Sequence, residues 1–207
     1  ATAFNGAIGG WDTSKLALMH ATFERASGFN ADIGGWDVSK VVDNQFQFHQ
    51  ASAFNADIGG WDVSKVEQMG GMFEHAQAFN AAVGGWDTSK VNQMNSVFEH
   101  AQAFNQTGIA GWDIGKVRHE GWEMENMLVD TAIATTSNCS RALLYNKFKG
   151  VSGFAATHAW LDAPCDFLPP SPPSSPPPRR LAGSTASPGS RRRTCSCWRS
   201  RSRSAVI

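Results

Sequence analysis

Apolar side chains recur along this chain in columns 25 residues apart, with one extra residue before the last tryptophan of the series. Each unit reads approximately A-F-N-x-x-I-G-G-W-D-(T/V)-S-K-V-x-x-M-x-x-M-F-E-x-A. Because one unit of this length cannot bury its own apolar side, neighbouring units are expected to stack and bury a continuous core. The predicted stacking column of indoles is Trp11, Trp36, Trp61, Trp86 and Trp112.

The same pattern predicts the local elements of each repeat. Met69, Met72, Phe73, Ala76 and Phe79 have the spacing of one helical face and predict a short helix. The position two residues after each Trp is always β-branched, which favours a short strand there. Paired glycines before Trp11, Trp36, Trp61 and Trp86 predict a corner, through positive φ or close approach. The expected fold is an α/β repeat solenoid similar to leucine-rich repeats, with about five coils.

Two polar columns accompany the apolar ones. An Asn follows the Phe of the A-F-N sequence in each repeat. We expect this Asn to lie buried at an inward corner and to form a ladder between repeats, with Asn30, Asn55 and Asn80 as central members. The Asp after each Trp would stack like charges about 4.8 Å apart. Backbone N–H groups two or three residues on and a parallel Lys column are expected to relieve this repulsion. A row of Ca²⁺ ions is the alternative, although no second carboxylate recurs at ligand spacing.

One further pattern offers candidate chemistry. Glu74-His75 and Glu99-His100 lie one repeat apart, and His49 occupies the Glu column. Stacked repeats would bring these residues into one surface stripe, so we select Glu74, His75, Glu99 and His100 as candidate binding residues. A pH-sensitive or metal contact is one interpretation of the stripe. A solvated edge without a ligand is the other.

Composition and charge narrow the function. The sequence shows no phosphate-binding loop and no GxGxxG or GxSxG motif, so we expect a non-enzymatic protein without cofactor or metal. No apolar stretch approaches the roughly 18–20 residues of a membrane-spanning helix. Residues 1–168 hold 10 basic and 18 acidic residues, net −8, whereas residues 169–207 hold 8 Arg and no acid, net +8. An acidic body is therefore followed by a basic tail.

The runs FNADIGGWDVSKVEQMGGMFEHAQAFN and FNAAVGGWDTSKVNQMNSVFEHAQAFN closely resemble the BspA-like leucine-rich-repeat surface proteins, a repeat class first catalogued in Mycoplasma lipoproteins. The resemblance covers residues 1–128. It implies a right-handed, non-enzymatic solenoid, displayed at surfaces and used in protein or matrix contact. The second repeat departs from the pattern, since Asn44 and Gln47 stand where Met is usual, so its packing is expected to differ.

Residues 129–168 are expected to form a helical cap. The stretch NCSRALLYNKFKG…HAWLDAPC resembles the C-terminal ends of algal members of this class, in which two cysteines close the fold. The resemblance implies a disulfide between Cys139 and Cys165, and with it an oxidising compartment. Two reduced thiols are the alternative.

The remaining chain ends carry weaker signals. Residues 169–207 are Pro-rich and then Arg/Ser-rich, and we expect them to be disordered. Nucleic acid is not expected as a partner except through this tail, where clustered Arg would attract RNA, an acidic protein or an anionic membrane; a tail without a role is the alternative. Residue 1 falls inside a repeat, so missing residues or a partner are expected to cover that end.

Two glycosylation sequons occur, at Asn105 and Asn138. Because Asn105 belongs to the Asn column that we expect to be buried, only Asn138 is expected to be accessible.

Two functions fit these observations. The first is a protein-interaction scaffold whose repeat face binds a protein or glycan at the cell surface, outside the cell, or in another oxidising space such as an organelle lumen. The second is a structural linker subunit within a larger assembly, membrane-associated or organellar.

Overall fold

The computed structural model describes residues 2–117 and 124–135, together with Leu144, Lys147, Phe148 and Gly150. The chain divides into two units, Ala1–Leu168 and Pro169–Ile207, and every described residue belongs to the first. Within 2–117 and 124–135 the regular elements are two 3₁₀ helices, Thr107–Gly111 and Ala132–Thr135. Isolated parallel bridges join the same position of four successive repeats, linking Leu18, Asp43, Gln68 and Gln93. Repeats 1 to 5 begin at Phe4, Phe29, Phe54, Phe79 and Phe104.

Backbone hydrogen bonds hold each repeat on the next. His75 has a left-handed backbone, with φ of 57°, and its N–H donates to the Glu99 carbonyl of the next repeat at 2.8 Å. Left-handed backbone is unfavourable for residues other than glycine, so a surrounding structure has to maintain it. The inter-repeat hydrogen bonds do so at seven such positions, which are Ala21, Arg25, Phe46, Gln50, His75, Ser96 and His100, and they also engage the left-handed Gly71.

The prediction of a helix across residues 69–79 is wrong, because this segment is a series of tight turns. The N–H of Met72 bonds the Met69 carbonyl, that of Ala76 bonds the Phe73 carbonyl, and that of Phe79 bonds the Ala76 carbonyl, all three residues back. Consecutive β-turns, each closed by a bond to the carbonyl three residues back, place the apolar residues at the same intervals that one face of a short helix would. Intervening N–H groups donate to the next repeat instead of continuing a helical ladder.

The predicted strand also differs from the structure. No multi-residue strand forms in 2–117 or 124–135, and the parallel bridges lie seven residues after each Trp rather than beside it. At the glycine corners, close approach rather than positive φ requires the first glycine of each pair, whereas a Cβ on the second would meet no atom within 4 Å. A Cβ on Gly34 would lie 2.6 Å from the Asp57 carbonyl oxygen of the next repeat, a distance too short for any side chain. The leucine-rich-repeat-like solenoid as a fold class stays a prediction.

Rows of aromatic rings form the core. Where one repeat leads into the next, the rings of Phe73 and Phe79 lie parallel with centroids 3.8 Å apart. Between repeats, Phe48 stacks on Phe73 and Phe73 on Phe98, each at 5.6 Å. These phenylalanines are fully buried. Parallel, closely spaced rings contribute about 0.5–1.5 kcal/mol per pair beyond their buried area.

The indoles flank these rings in equivalent environments. Trp61 packs against Phe48, and its Nε1–H donates to the Ile33 carbonyl at 3.1 Å. The indoles of Trp36, Trp86 and Trp112 make the same bond to the carbonyl 28 or 29 residues earlier. The four are buried, whereas Trp11 is 63% exposed although it stacks on Trp36. The indole column therefore serves as a core row from the second repeat onward.

The second repeat contains a polar defect in this core. Asn44 stands at the position of Met19, Met69 and Met94 and is fully buried, yet neither atom of its carboxamide has a hydrogen-bond partner. The nearby Gln47 places its Nε2 3.8 Å from the Met19 sulfur, and its carbonyl oxygen is also unpaired. A buried polar atom without a partner costs free energy, so the second repeat is locally destabilised.

Several predictions concern C-terminal residues that the structure does not describe. Cys139 and Cys165, most of the expected cap 129–168 and the whole tail 169–207 lie outside the described residues. Of the cap, Leu144 and Phe148 are described and are fully buried.

Trp61→Ala should lower the free energy of unfolding by about 3–5 kcal/mol, because it deletes a buried indole from the middle of the core. Trp11→Ala is the matched control, and should cost less than about half as much because that indole is mostly exposed. Chemical denaturation of both variants measures the difference. Equal losses would contradict the assignment of Trp61 to the core row.

Asn44→Met should raise the free energy of unfolding by about 1–3 kcal/mol, because it removes an unsatisfied buried carboxamide and restores the residue of the other repeats. The same substitution at Asn55 should act in the opposite direction. The exposed Asn55 carboxamide accepts the Asn80 N–H at 2.7 Å, and losing this bond should cost about 0.5–1.5 kcal/mol. Urea titrations of both variants give the two signs, and a loss of stability in Asn44→Met would refute this account of the defect.

Candidate functional site

A band of carboxylates and imidazoles crosses the repeats on one side and forms the candidate site. The residue immediately after each core Phe forms its first column. The next residue in the sequence forms its second column. We call the band the Glu/His stripe, and it consists of Glu24, His49, Glu74 and Glu99 in the first column and His75, His100 and Asp130 in the second.

In the first column an imidazole lies between two carboxylates. His49 Nδ1 is 3.4 Å from Glu24 Oε1 in the repeat before it, and its Nε2 is 3.9 Å from Glu74 Oε1 in the repeat after it. The His49 side chain is only 15% exposed. Three successive repeats are thus linked through one half-enclosed histidine.

In the second column two imidazoles stack directly. The ring centroids of His75 and His100 are 4.5 Å apart, with an angle of 21° between the rings. His100 Nδ1 then lies 2.9 Å from Asp130 Oδ2, and its Nε2 lies 3.7 Å from Glu99 Oε1. The pair is therefore bordered by carboxylates from its own repeat and the next.

The backbone holds the second column in place. His75, His100 and Asp130 have φ values of 57°, 57° and 55°. The His75 N–H donates to Glu99, and the His100 N–H donates to the Val129 carbonyl at 2.8 Å. These bonds constrain the Cα positions of both histidines, and with them the point from which each side chain projects.

Partial burial makes the stripe electrostatically distinct. Burial raises the pKa of Glu74 above its ordinary value, and the neighbouring Glu99 charge adds to the increase, while His49 opposes it. The Asp column shows the opposite effect. The Ser39 hydroxyl and backbone N–H lower the pKa of Asp37, with Lys40 a smaller contributor, and the pattern recurs at Asp12, Asp62 and Asp87.

The Asp column thus relieves its like-charge repulsion mainly through serine. Each Asp accepts the backbone N–H two residues on, for example Ser64 N–H to Asp62 Oδ1 at 3.0 Å. Lysines contribute less than the sequence suggested, although Lys40 Nζ donates to the Ser14 carbonyl of the preceding repeat at 2.7 Å.

The chemistry available to the stripe is ion pairing and hydrogen bonding. In the part of the chain that the structure describes, no group of three or more His, Cys, Asp or Glu side chains is arranged to hold a metal ion. Four carboxylates and three imidazoles share the stripe, so the surface can accept hydrogen bonds from cationic side chains.

The structure brings the four candidate residues together. Glu74, His75, Glu99 and His100 all lie in the Glu/His stripe, and whether they bind a partner stays a prediction. Glu24 was missed, although it shares the column of Glu74 and its 25-residue spacing would have revealed it. Asp130 carries no such signal, because it lies 30 residues after His100 rather than 25.

The Asn column forms the expected ladder but not in the expected place. Asn30 Oδ1 accepts the Asn55 N–H at 2.8 Å, and Asn55 Oδ1 accepts that of Asn80 at 2.7 Å. These side chains lie at the surface rather than in a buried corner, with Asn30 and Asn55 exposed and Asn80 half-buried. The backbone N–H groups need an acceptor there because they have no partner within their own repeat.

Exposed large apolar side chains lie only in the first two repeats of the described region. Trp11 and Leu18 are each 63% exposed, and Phe4 and Val42 are each 39% exposed. Phe4 and Trp11 line an open pocket with Phe23 and Trp36. This apolar patch is separate in sequence from the Glu/His stripe except for Glu24, which also lines the pocket.

Comparison with known proteins connects the repeats to a family. A family model described as "Mycoplasma protein of unknown function, DUF285" matches the chain twice, over residues 1–82 and 45–136. No curated protein matches the chain. Among the described residues, no helix has the length and apolar character needed to cross a membrane.

Glu74→Gln should change how stability depends on pH. A raised pKa in the folded state means that the wild-type contribution of Glu74 is fully present below its ordinary value and is lost as pH rises through the folded value. A neutral Gln removes this loss, so the stability of the variant relative to wild type should increase from about pH 4 to pH 7.

Thermal denaturation across this range measures the effect. Glu67→Gln, an exposed carboxylate of the same repeat, is the matched control. A relative stability of Glu74→Gln that falls with rising pH would contradict the assigned effect of burial.

Proposed function

We propose that this chain, which belongs to the Mycoplasma-derived protein family of unknown function DUF285, related to BspA-like repeat proteins, is a non-enzymatic interaction scaffold. Its partner is a protein or a glycan. The Glu/His stripe is the binding surface, and within it Glu74, His75, Glu99 and His100 make the central contacts. Kinship with the algal members of the repeat class is part of the same proposal.

The observation that carries the proposal is the backbone-fixed arrangement of the stripe. The His75 and His100 rings stack 4.5 Å apart, and the His49 side chain lies between carboxylates of the two neighbouring repeats. A surface whose side chains are already ordered loses little conformational entropy on binding. Side chains repeated once per stacked unit form an extended contact line, as solenoid binding surfaces do.

Charge favours a protein partner with basic side chains. The carboxylates of Glu24, Glu74, Glu99 and Asp130 border the imidazoles, and the acidic part of the chain has a net charge of −8 over residues 1–168. Lys and Arg side chains pair with carboxylates, and charge complementarity of this kind directs association and specificity.

A surface or extracellular location, or another oxidising lumen, completes the proposal. It is supported by the surface-displayed relatives that the repeat sequences resemble, and by the Cys139–Cys165 disulfide that this resemblance implies. Mass spectrometry of the full chain without reduction tests that bridge.

A second candidate function is a structural linker subunit. The exposed Phe4 and Trp11 rings, which line one open pocket, support it, because exposed indole and phenyl rings are typical of surfaces that a permanent partner covers. A linker subunit would copurify with its partner at a fixed ratio, and Trp11→Ala would release that partner whereas stripe variants would not.

Affinity capture with matched variants tests the scaffold. The full chain is immobilised as wild type, as Glu74→Gln/Glu99→Gln, and as Lys65→Gln/Lys90→Gln, which removes two charges at exposed positions away from the stripe. A specific partner should be recovered from native extract with wild type and the Lys variant, and about tenfold less with the stripe variant, which corresponds to about 1.4 kcal/mol. Equal recovery by all three would overturn the assignment of the stripe.

A further inference from the structure

The last member of the Asn column differs from the earlier members in the residues that follow it. Asn105 is the one member of the column, from Asn5 to Asn105, that is followed two residues later by a hydroxyl residue, in the sequence Asn105-Gln106-Thr107. The corresponding residues of earlier repeats are Ala or Asp. The Asn-x-Thr sequence is the acceptor for N-linked glycans on surface loops of secreted proteins.

The hydrogen-bond ladder leaves the Asn105 carboxamide available. Each earlier carboxamide is engaged, and the Oδ1 of Asn80 accepts the Asn105 N–H at 2.9 Å and a bond from Gln106 Nε2 at 3.1 Å. Among the described residues the Asn105 carboxamide itself takes part in no hydrogen bond, and its side chain is exposed. A group attached there would break no contact between repeats.

The local backbone also presents the acceptor suitably. Gln106 is extended, with φ of −96° and ψ of 105°, so the side chains of its two neighbours, Asn105 and Thr107, project to the same side. Gln106 Nε2 is held by the Asn80 carbonyl at 2.8 Å, and the chain then enters the 3₁₀ helix Thr107–Gly111. The sequon therefore spans the extended segment that leads into this 3₁₀ helix.

We propose that Asn105 is an N-glycosylation site of this protein. The inference rests on the part of the proposed function that places the chain at the cell surface or in an oxidising lumen. It also reverses the expectation from sequence, in which burial of the Asn column excluded Asn105.

The chemistry requires a lipid-diphosphate-linked oligosaccharide as donor and a membrane oligosaccharyltransferase as catalyst. The Asn105 Nδ2 atom attacks the anomeric carbon, a C–N bond forms, and the C–O bond to the diphosphate breaks. The lipid diphosphate is the leaving group, and the amide loses one proton to an enzyme base. No oxidation or reduction takes place.

The experiment expresses the full chain behind a cleavable secretory signal in a glycosylating eukaryotic host. Asn138→Gln is present in every sample, which removes the second sequon. Mass spectrometry of secreted and cell-retained protein, before and after peptide-N-glycosidase treatment, should show a glycan whose removal converts Asn105 to Asp. Asn105→Gln and Thr107→Ala should each lose the entire mass shift, and Thr107→Ser should keep it.

Unmodified Asn105 in both fractions would overturn the proposal, and so would a mass shift that persists in Asn105→Gln. Asn105→Gln should retain the melting temperature of the unglycosylated wild type, since its carboxamide makes no hydrogen bond. Capture of a partner through the Glu/His stripe is measured with different variants. Failure of glycosylation is therefore distinguishable from failure of the scaffold function.

Discussion

Registration of each repeat on the next by backbone hydrogen bonds is the constraint on which the described structure depends. A 25-residue unit without α-helix or continuous strand has few partners for its own N–H groups. Those groups donate to carbonyls of the neighbouring repeat, and residues such as Phe46 and His75 accept a left-handed backbone in order to do so. The Phe rings of successive repeats then stack at a nearly constant centroid distance. The backbone hydrogen bonds and the ring stacking therefore favour the same register.

The Glu/His stripe follows from that register. Identical backbone conformation at His75 and His100 places their rings face to face, and the same geometry places His49 between the carboxylates of adjacent repeats. Replacement of one column member, as at Asn44 in the core, perturbs one repeat while the register continues through its neighbours.

The sequence predicted the features that depend on side-chain identity alone. It did not predict the features that depend on backbone conformation. The columns identified the buried rings and the four central stripe residues, because recurrence every 25 residues is visible without coordinates. The helix at 69–79 was mispredicted because consecutive β-turns place apolar residues at the same intervals as one face of a helix does. The Asn ladder was anticipated as hydrogen bonding but misplaced as buried, since an Asn satisfies backbone N–H groups equally well at a surface.

The sequence by itself determined the repeat, its period, the composition of the core rows and membership of the family, because each is a property of residue identity and spacing. Only the tertiary structure decided the turn conformation of each repeat, the inclusion of Asp130 in the stripe and the exposure of Asn105. These depend on which neighbouring carbonyl or carboxylate each group meets. These contacts join residues 25 to 30 positions apart in the sequence, so the local conformational propensity of each segment does not determine them.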